Sequence, residues 1–364
     1  MSIPSELYRH IVSHVSEKRD LNTLLHTSYL LKREAECVLL ESIDMAGTDS
    51  SVYYEYKRVQ ARGKLTRIFE HLRLNPSLIL AVREVFYDHG AVSEEIIEAV
   101  MPLMANLSRL YIATFHSILN RCPFRLKYIS FNAAIHSSLK GEVLQFLAGQ
   151  PSVRELRLSE YLDIPSQSLP NLSCLICRSD FDGDLSRLLR GRPVTQFGGR
   201  LKLSSFFDQN SLMQLRVVSG GIEKDFDISL PRNLEYLYTH DVRTSSIDMN
   251  SPFSVLIRQQ CENAADMIHL LPNLKQITLR GSLKYYIVSA SPTIQLEPRP
   301  QQEIAEQVPK AAAMLDASDR LELFSFVRAF QLLSEAFLFH REGCSASVTV
   351  REQSQWMEAE MPRM

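Results

Sequence analysis

The hydrophobic positions of the chain recur in a six-residue pattern, apolar-x-x-apolar-x-apolar, from about residue 80 to residue 280. Alternation over the second half of this pattern is typical of a short strand with one buried face. Complete copies begin at Val82, Leu107, Leu126, Val153, Leu172, Leu212, Leu234 and Leu274, and a degenerate copy begins at Val194. Up to Leu234 the starts lie 18 to 27 residues apart. The longer final step predicts one irregular repeat near Phe253–Ile257.

Helical patterns fill several of the segments between these strands. Ser93 is a good N-cap residue for apolar positions at Ile96, Ile97 and Val100. Residues 184–191 begin with Asp and end with Gly, which are the start and stop signals of a short helix. Strand, turn and helix at a nearly constant period predict stacked β/α units.

These repeats resemble the leucine-rich-repeat family over residues 81–290. The resemblance implies an irregular solenoid whose sheet binds a protein. The Asn or Cys that the family carries after the strand is mostly missing here, and the repeats vary in length. An ordinary α/β fold is the main alternative. However, Gly198-Gly199 and Gly220-Gly221 lack the spacing of a phosphate-binding loop.

Three short amphipathic helices are predicted before the repeats. Leu7, Ile11 and Val15 form one stripe, with Pro4 in the first turn of the helix. Further stripes contain Leu21, Leu24 and Leu25, and then Ala35, Val38, Leu39 and Ile43. Three helices of this size bury little surface by themselves, so we expect them to need a partner.

The order and spacing of these residues resemble an F-box, over residues 1–46. The resemblance implies docking onto the Skp-type adaptor of a cullin ubiquitin ligase. The implied adaptor-binding residues are Ile3, Pro4, Leu7, Ile11, Val15, Leu21, Leu24 and Leu25. The chain departs from the family at Thr27-Ser-Tyr-Leu30 and at Leu39-Leu40, where tryptophans are common. A helical cap for the repeats is the alternative interpretation.

The predicted architecture is α/β: a three-helix F-box, an irregular leucine-rich-repeat solenoid and a helical C-terminal cap. A helical connector is expected over residues 47–80. Residues 291–343 are predicted to be helical, with an apolar helix over 321–339 that covers the last repeat, and 344–364 to be a disordered tail.

Composition narrows the class of partner. The net charge is −2, from 40 Lys+Arg and 42 Asp+Glu, which gives no electrostatic footprint for nucleic acid or an anionic membrane. The chain shows neither a signal-peptide pattern nor an apolar run of membrane-spanning length. The six cysteines are scattered and suggest no disulfide framework. We therefore expect a cytoplasmic or nuclear protein.

Candidate chemistry is sparse. Cys174 and Cys177 form a lone CxxC without a second ligand pair, and a strand would place them on opposite faces. His10 and His14 have a spacing that can bind zinc, but a solvated helix face is the simpler interpretation. No nucleophile motif is present. The sequence therefore predicts no enzyme, cofactor or metal.

The favoured function is that of a substrate-recognition adaptor of a cullin ubiquitin ligase, and a ligase-independent scaffold is the alternative. In each strand the residues just before the second and third apolar positions should face outward. Tyr and Arg are enriched at interface hot spots. This rule predicts a binding surface for a protein substrate at Arg109, Tyr111, Tyr128, Arg157, Arg216, Tyr236 and Tyr238.

Overall fold

The computed structural model has two compact units, Met1–Leu172 and Ser173–Met364. The described residues are 5–15, 17–27, 29–43, 66–88, 92–177, 185–199, 209–222, 231–242, 270–282, 323–330, 333–342 and 345–352. Both units combine short helices with parallel strands, which confirms the α/β class. The predicted irregular repeat near Phe253–Ile257 and most of the predicted connector lie outside the described residues.

The first unit begins with three short helices. They are α1 (Ser5–Ser13), α2 (Lys18–Leu24) and α3 (Tyr29–Glu41). Val12, Leu21 and Ala35, one from each helix, form their buried centre. Around this centre pack the partly buried Val15, Leu24, Leu25, Leu31, Val38 and Leu39. The helices therefore share a small apolar core.

Five parallel strands follow in the first unit, paired in sequence order. They are β1 (Ser42–Ile43), β2 (Glu84–Asp88), β3 (Arg109–Thr114), β4 (Tyr128–Phe131) and β5 (Glu155–Leu158). The helices between them are α4 (66–74), α5 (Pro76–Ile79), α6 (Glu94–Val100) and α7 (Lys140–Ala148), with 3-10 turns at Met101–Leu103, Ser117–Arg121 and Ser137–Leu139. The second apolar position of each motif, Val85, Leu110, Ile129 and Leu156, forms one buried row across β2–β5.

The second unit also combines parallel strands with short helices. Its parallel strands are β6 (Cys174–Cys177), β7 (Gln196–Gly198), β8 (Val217–Ile222), β9 (Tyr236–Val242), β10 (Gln276–Ser282) and β11 (Leu323–Phe330). Two short helices are described, α8 (Leu185–Leu189) and α9 (Gln209–Gln214). Gly191 has a φ of 72°, which suits the predicted stop of α8. Beside it, Arg192 is buried and donates Nη1 to the carbonyls of Arg187 and Leu188.

The predicted helical C-terminal cap is wrong for the described residues beyond 320. There β11 is followed by β12 (Leu333–Glu342) and β13 (Ser345–Glu352), which pair antiparallel. β13 also lies where a disordered tail was predicted. Phenylalanine is frequent in β11, and valine and threonine alternate with other residues in β13; these residue types favour strands over helices. The helix was predicted because the segment is strongly apolar. Apolar content alone does not distinguish a helix from a strand.

One motif copy is displaced from its predicted register. The structure pairs Val218, not Leu215, with Phe197 on one side and Leu237 on the other. The copy therefore begins at Leu215, three residues later than predicted. Leu212 is buried as well, within helix α9. Two overlapping apolar frames were present, and composition alone did not distinguish them.

Consecutive repeats are joined by a shared main-chain acceptor. The carbonyl of the residue after the first apolar position accepts two N–H groups from the next repeat. Arg83 accepts from Ser108 and Arg109 at 2.8 and 3.0 Å, and six further carbonyls among the described residues make the same pair of bonds. These are Ser108, Lys127, Ser173, Thr195, Arg216 and Glu235. The paired bonds set where each new strand begins.

An asparagine before four of the strands strengthens this junction, and sequence reasoning missed it. Asn106, Asn171, Asn233 and Asn273 each stand one residue before the first apolar position. Their Nδ2 atoms donate to the carbonyls of Leu80, Pro151, Met213 and Arg232, respectively, at 2.7 to 2.9 Å. Each acceptor lies two residues before the preceding motif. The bond from Asn233 to Met213 therefore supports the corrected start at Leu215.

Two glycines give a paired test of the backbone. Gly220 has a φ of 147°, and an added Cβ would lie 1.8 Å from the carbonyl oxygen of Gly199. Gly141 lies in α7, and an added Cβ there meets nothing within 4 Å. We expect Gly220→Ala to lower the free energy of unfolding by at least about 2 kcal/mol, and Gly141→Ala to raise it by about 0.5 kcal/mol. Urea denaturation of both variants measures this, and a neutral Gly220→Ala would contradict the close approach of β7 and β8.

Candidate functional site

The outward face of β2–β5 carries two rows of side chains in register. Arg109 and Tyr128 occupy the centre of one row, between Glu84 and Glu155. The second row contains Phe86, Tyr111, Ser130 and Arg157. Four predicted residues, Arg109, Tyr111, Tyr128 and Arg157, therefore meet on one face. Glu84 and Phe86 of β2 also lie in these two rows, because side chains alternate along the strand. The sequence-based prediction left both residues out.

Tyr128 lies at the centre of this group and is only 3% exposed. The guanidinium carbon of Arg109 lies 4.6 Å from the centroid of its ring, and that of Arg157 lies 5.4 Å away. The Tyr111 ring packs at 4.8 Å and is itself stacked on Phe86 at 6.2 Å. Cation–π and aromatic contacts therefore fill the space above β4. We call these five residues together with Glu84 and Glu155 the arginine–tyrosine patch.

Hydrogen bonds hold both guanidinium groups in place. Arg109 donates Nη2 to the Tyr111 hydroxyl at 3.3 Å, and its Nε lies 3.8 Å from a carboxylate oxygen of Glu84. Arg157 donates Nε and Nη2 to one carboxylate oxygen of Glu155 at 3.2 and 3.1 Å. The two arginine side chains nevertheless stay 47% and 41% exposed. Ordered but accessible guanidinium groups suit protein recognition, because little rotamer entropy remains to be lost.

The surroundings within the patch raise the pKa of both Tyr128 and Arg109. Burial raises the pKa of Tyr128 well above its ordinary value, while the charge of Arg157 opposes that shift. Burial alone would lower the pKa of Arg109. The bond to Tyr111 and the charges of Glu84 and Glu155 more than offset this effect, so the pKa is raised. With two arginines and two glutamates, the patch carries no net charge.

The predicted surface residues of the second unit do not form a comparable patch. Tyr236 is partly exposed, Tyr238 is buried, and both come from β9. Arg216 lies before β8 and not on its outward face, because the motif copy begins three residues later than predicted. It forms an ion pair with Glu235 at 3.8 Å, and Glu235 also pairs with Lys275 at 3.0 Å. Arg216 thus belongs to a row of charges at the strand entrances.

The predicted adaptor-binding residues on the three N-terminal helices fall into two groups, one exposed and one packed in the core. Leu7 and Ile11 are 48% and 52% exposed on α1, although both are large and apolar. Leu21 is buried, and Val15, Leu24 and Leu25 pack around the core. These four residues are therefore mainly structural, because Val12 and Leu21 lie at the centre of the bundle. Ile3 and Pro4 lie outside the described residues.

Two exposed apolar residues at the start of α3 were not predicted as contacts. Tyr29 is 77% exposed and Leu30 is 46% exposed. They fall in the segment where the chain departs from the F-box pattern. Their signal in the sequence is a pair of large apolar residues placed where a helix starts, opposite the buried Ala35 position.

Within the described ranges, no group of three or more His, Cys, Asp or Glu side chains could hold a metal ion. Both Cys174 and Cys177 are buried on β6, and burial raises the pKa of the Cys177 thiol. None of the helices in the described part of the chain has the length and apolar character needed to cross a bilayer.

Comparison with known proteins adds no family assignment: no family model matches the chain, and no curated protein matches it significantly. The F-box and leucine-rich-repeat resemblances therefore stay predictions.

The buried phenol at the centre of the patch gives a pH-dependent prediction. An unfolded tyrosine loses its proton near pH 10, whereas folded Tyr128 keeps its proton to higher pH. Above pH 10 the unfolded state therefore binds fewer protons, and stability falls as pH rises. We expect Tyr128→Phe to lose less stability than the wild type between pH 8 and pH 10.5. Urea denaturation at both values measures the difference, and equal losses would contradict the burial effect.

Proposed function

We propose that the chain is a non-catalytic substrate adaptor of a cullin ubiquitin ligase, acting in the cytosol or nucleus. The N-terminal helices dock onto a Skp-type adaptor, and the outward face of β2–β5 binds the protein to be modified. Ubiquitin transfer then needs a cullin, a RING protein and a ubiquitin-conjugating enzyme supplied by other chains. The purified chain alone forms no thioester with ubiquitin.

The observation that carries this proposal is the exposure of Leu7 and Ile11. The helix α1 already has a buried residue, Val12, that anchors it to α2 and α3. Leu7 and Ile11 are therefore not needed for the fold of the three helices, yet each leaves about half of its surface in water. Large apolar side chains that lie one turn apart on an otherwise anchored helix support a docking role.

The arginine–tyrosine patch supports the second half of the proposal. Arginine and tyrosine dominate interface hot spots, and here packing and hydrogen bonds orient them in advance. The zero net charge of the patch favours a partner with both polar and apolar contacts over a uniformly acidic or basic one. Such a surface would serve a ligase-independent scaffold equally well, so the adaptor contact decides between the two functions.

The adaptor contact is tested by placing a carboxylate on the exposed stripe. We expect Leu7→Asp and Ile11→Asp each to weaken binding of a purified Skp-type adaptor by about 2 kcal/mol or more, because the charge would be buried against an apolar groove. Ser13→Asp is the matched control, since Ser13 is exposed on α1 away from this stripe. Calorimetry with the full chain measures all three affinities.

Two outcomes would contradict the adaptor function. Wild-type affinity of both Asp variants would mean that α1 does not dock, and the scaffold function would be favoured. No binding of the adaptor by the wild-type chain would have the same consequence. Circular dichroism before each titration checks that the variants keep their helices.

Substrate recognition is tested at the two ordered arginines. Proteins captured by the chain are identified by affinity purification with mass spectrometry, and a direct partner is then purified. We expect Arg109→Ala and Arg157→Ala each to weaken its binding by about 2 kcal/mol. Lysine at either position should not restore it, because an ammonium lacks the planar stacking on Tyr128. Arg125→Ala is the control, since Arg125 is exposed but outside both outward rows. If the affinity for the partner is unchanged in both alanine variants, the substrate binds at another surface.

A further inference from the structure

Two histidines on α1 and its following turn bring their ring nitrogens together. The Nε2 atoms of His10 and His14 lie 3.4 Å apart, and the ring centroids are 4.6 Å apart in an edge-to-face arrangement. Both side chains are exposed. Residues four apart share one face of a helix, so the backbone itself produces this pairing.

The distance between the nitrogens is long for a hydrogen bond between two imidazoles, and it also fits a metal chelate. Hydrogen bonds between nitrogen and an acceptor usually span 2.7 to 3.2 Å. In a tetrahedral zinc site each nitrogen lies about 2.0 to 2.1 Å from the ion, which places two such nitrogens about 3.3 to 3.4 Å apart. The spacing of the two Nε2 atoms therefore fits a shared Zn²⁺ ion, and rotation of the imidazole rings would direct both nitrogen lone pairs at it.

The local backbone holds this geometry. His14 donates its main-chain N–H to the carbonyl of Ile11 at 3.2 Å, which continues the helical path beyond Ser13. The Ser13 hydroxyl also donates to the carbonyl of His10 at 2.8 Å. The last turn that carries both imidazoles is thus closed by hydrogen bonds, and binding a metal needs little further ordering.

We propose that His10 and His14 bind one divalent transition-metal ion of the Zn²⁺ class through their Nε2 atoms. No third ligand joins them among the described residues, so water or a side chain of a binding partner completes the coordination. On a helix, positions 7, 10, 11 and 14 share one face. The ion therefore lies beside the exposed Leu7 and Ile11. Metal binding by the pair does not depend on the adaptor function.

Calorimetric titration of the tag-free full chain with ZnCl₂ at pH 7.5 tests the site. We expect His10→Gln and His14→Gln each to weaken the high-affinity phase by about tenfold or more, since one of two protein ligands is lost. His26→Gln is the control, because His26 is exposed in the same three-helix region but has no histidine four residues away. Mn²⁺ should bind more weakly than Zn²⁺, as expected for imidazole ligands.

Because the chain also has free thiols, a second measurement locates the ion. Cu²⁺ is paramagnetic and should broaden the methyl resonance of Ile11 in the wild type but not in His10→Gln. Unchanged zinc affinity in both Gln variants, an equal loss in His26→Gln, or no broadening at Ile11 would each show that the pair is not a metal site.

Discussion

The described repeats depend on one hydrogen-bonding constraint, a main-chain carbonyl that accepts two N–H groups from the next repeat. Because the two donors are consecutive residues, the bonds determine where the new strand begins. Once the start is set, alternation assigns every following side chain to the core or to the outward face. The buried row from Val85 to Leu156 and the outward arginine–tyrosine patch both result from this register.

The patch shows how a parallel sheet can order charged residues without help from loops. Neighbouring strands lie about 4.8 Å apart, which is close to the separation at which guanidinium groups and tyrosine rings attract one another. Arg109 and Arg157 therefore reach the ring of Tyr128 from the strands on either side of β4. Their glutamate partners come from the same face, so charge is balanced where the side chains are most crowded.

Sequence reasoning was most successful where a local pattern repeats. The motif predicted β2 to β5 of the first unit in their observed register, because its apolar positions alternate without ambiguity. It did not predict β1, since Ile43 was assigned to the third helix. It was wrong at Leu212, where the apolar end of α9 joins the motif and two frames compete. Beyond residue 320 the apolar content of the sequence predicted a helix, and this was wrong. The described residues there form strands that pair antiparallel with their neighbours.

Side-chain exposure was harder to predict than secondary structure. The sequence predicted one helix stripe of Leu7, Ile11 and Val15, but α1 ends at Ser13, and Val12, outside that stripe, fills the core. The buried face of a short helix depends on the elements that pack against it. Their positions cannot be read from the sequence of the helix alone. The α/β class and the residues of the patch were predictable for the same reason. Both follow from the alternation of apolar positions and from the repeated period of the motif.

The shared carbonyl also bears on how such a chain can change during evolution. The junction to a new repeat uses the main-chain carbonyl that follows the first apolar residue of the repeat before it. An asparagine at the start of the new repeat can add a side-chain hydrogen bond to the earlier repeat, as Asn106 does. Nothing in this junction depends on the length of the segment between two strands. Gene duplication of a single segment could therefore lengthen the array, and loop insertions could diversify it, while the existing junctions stay intact.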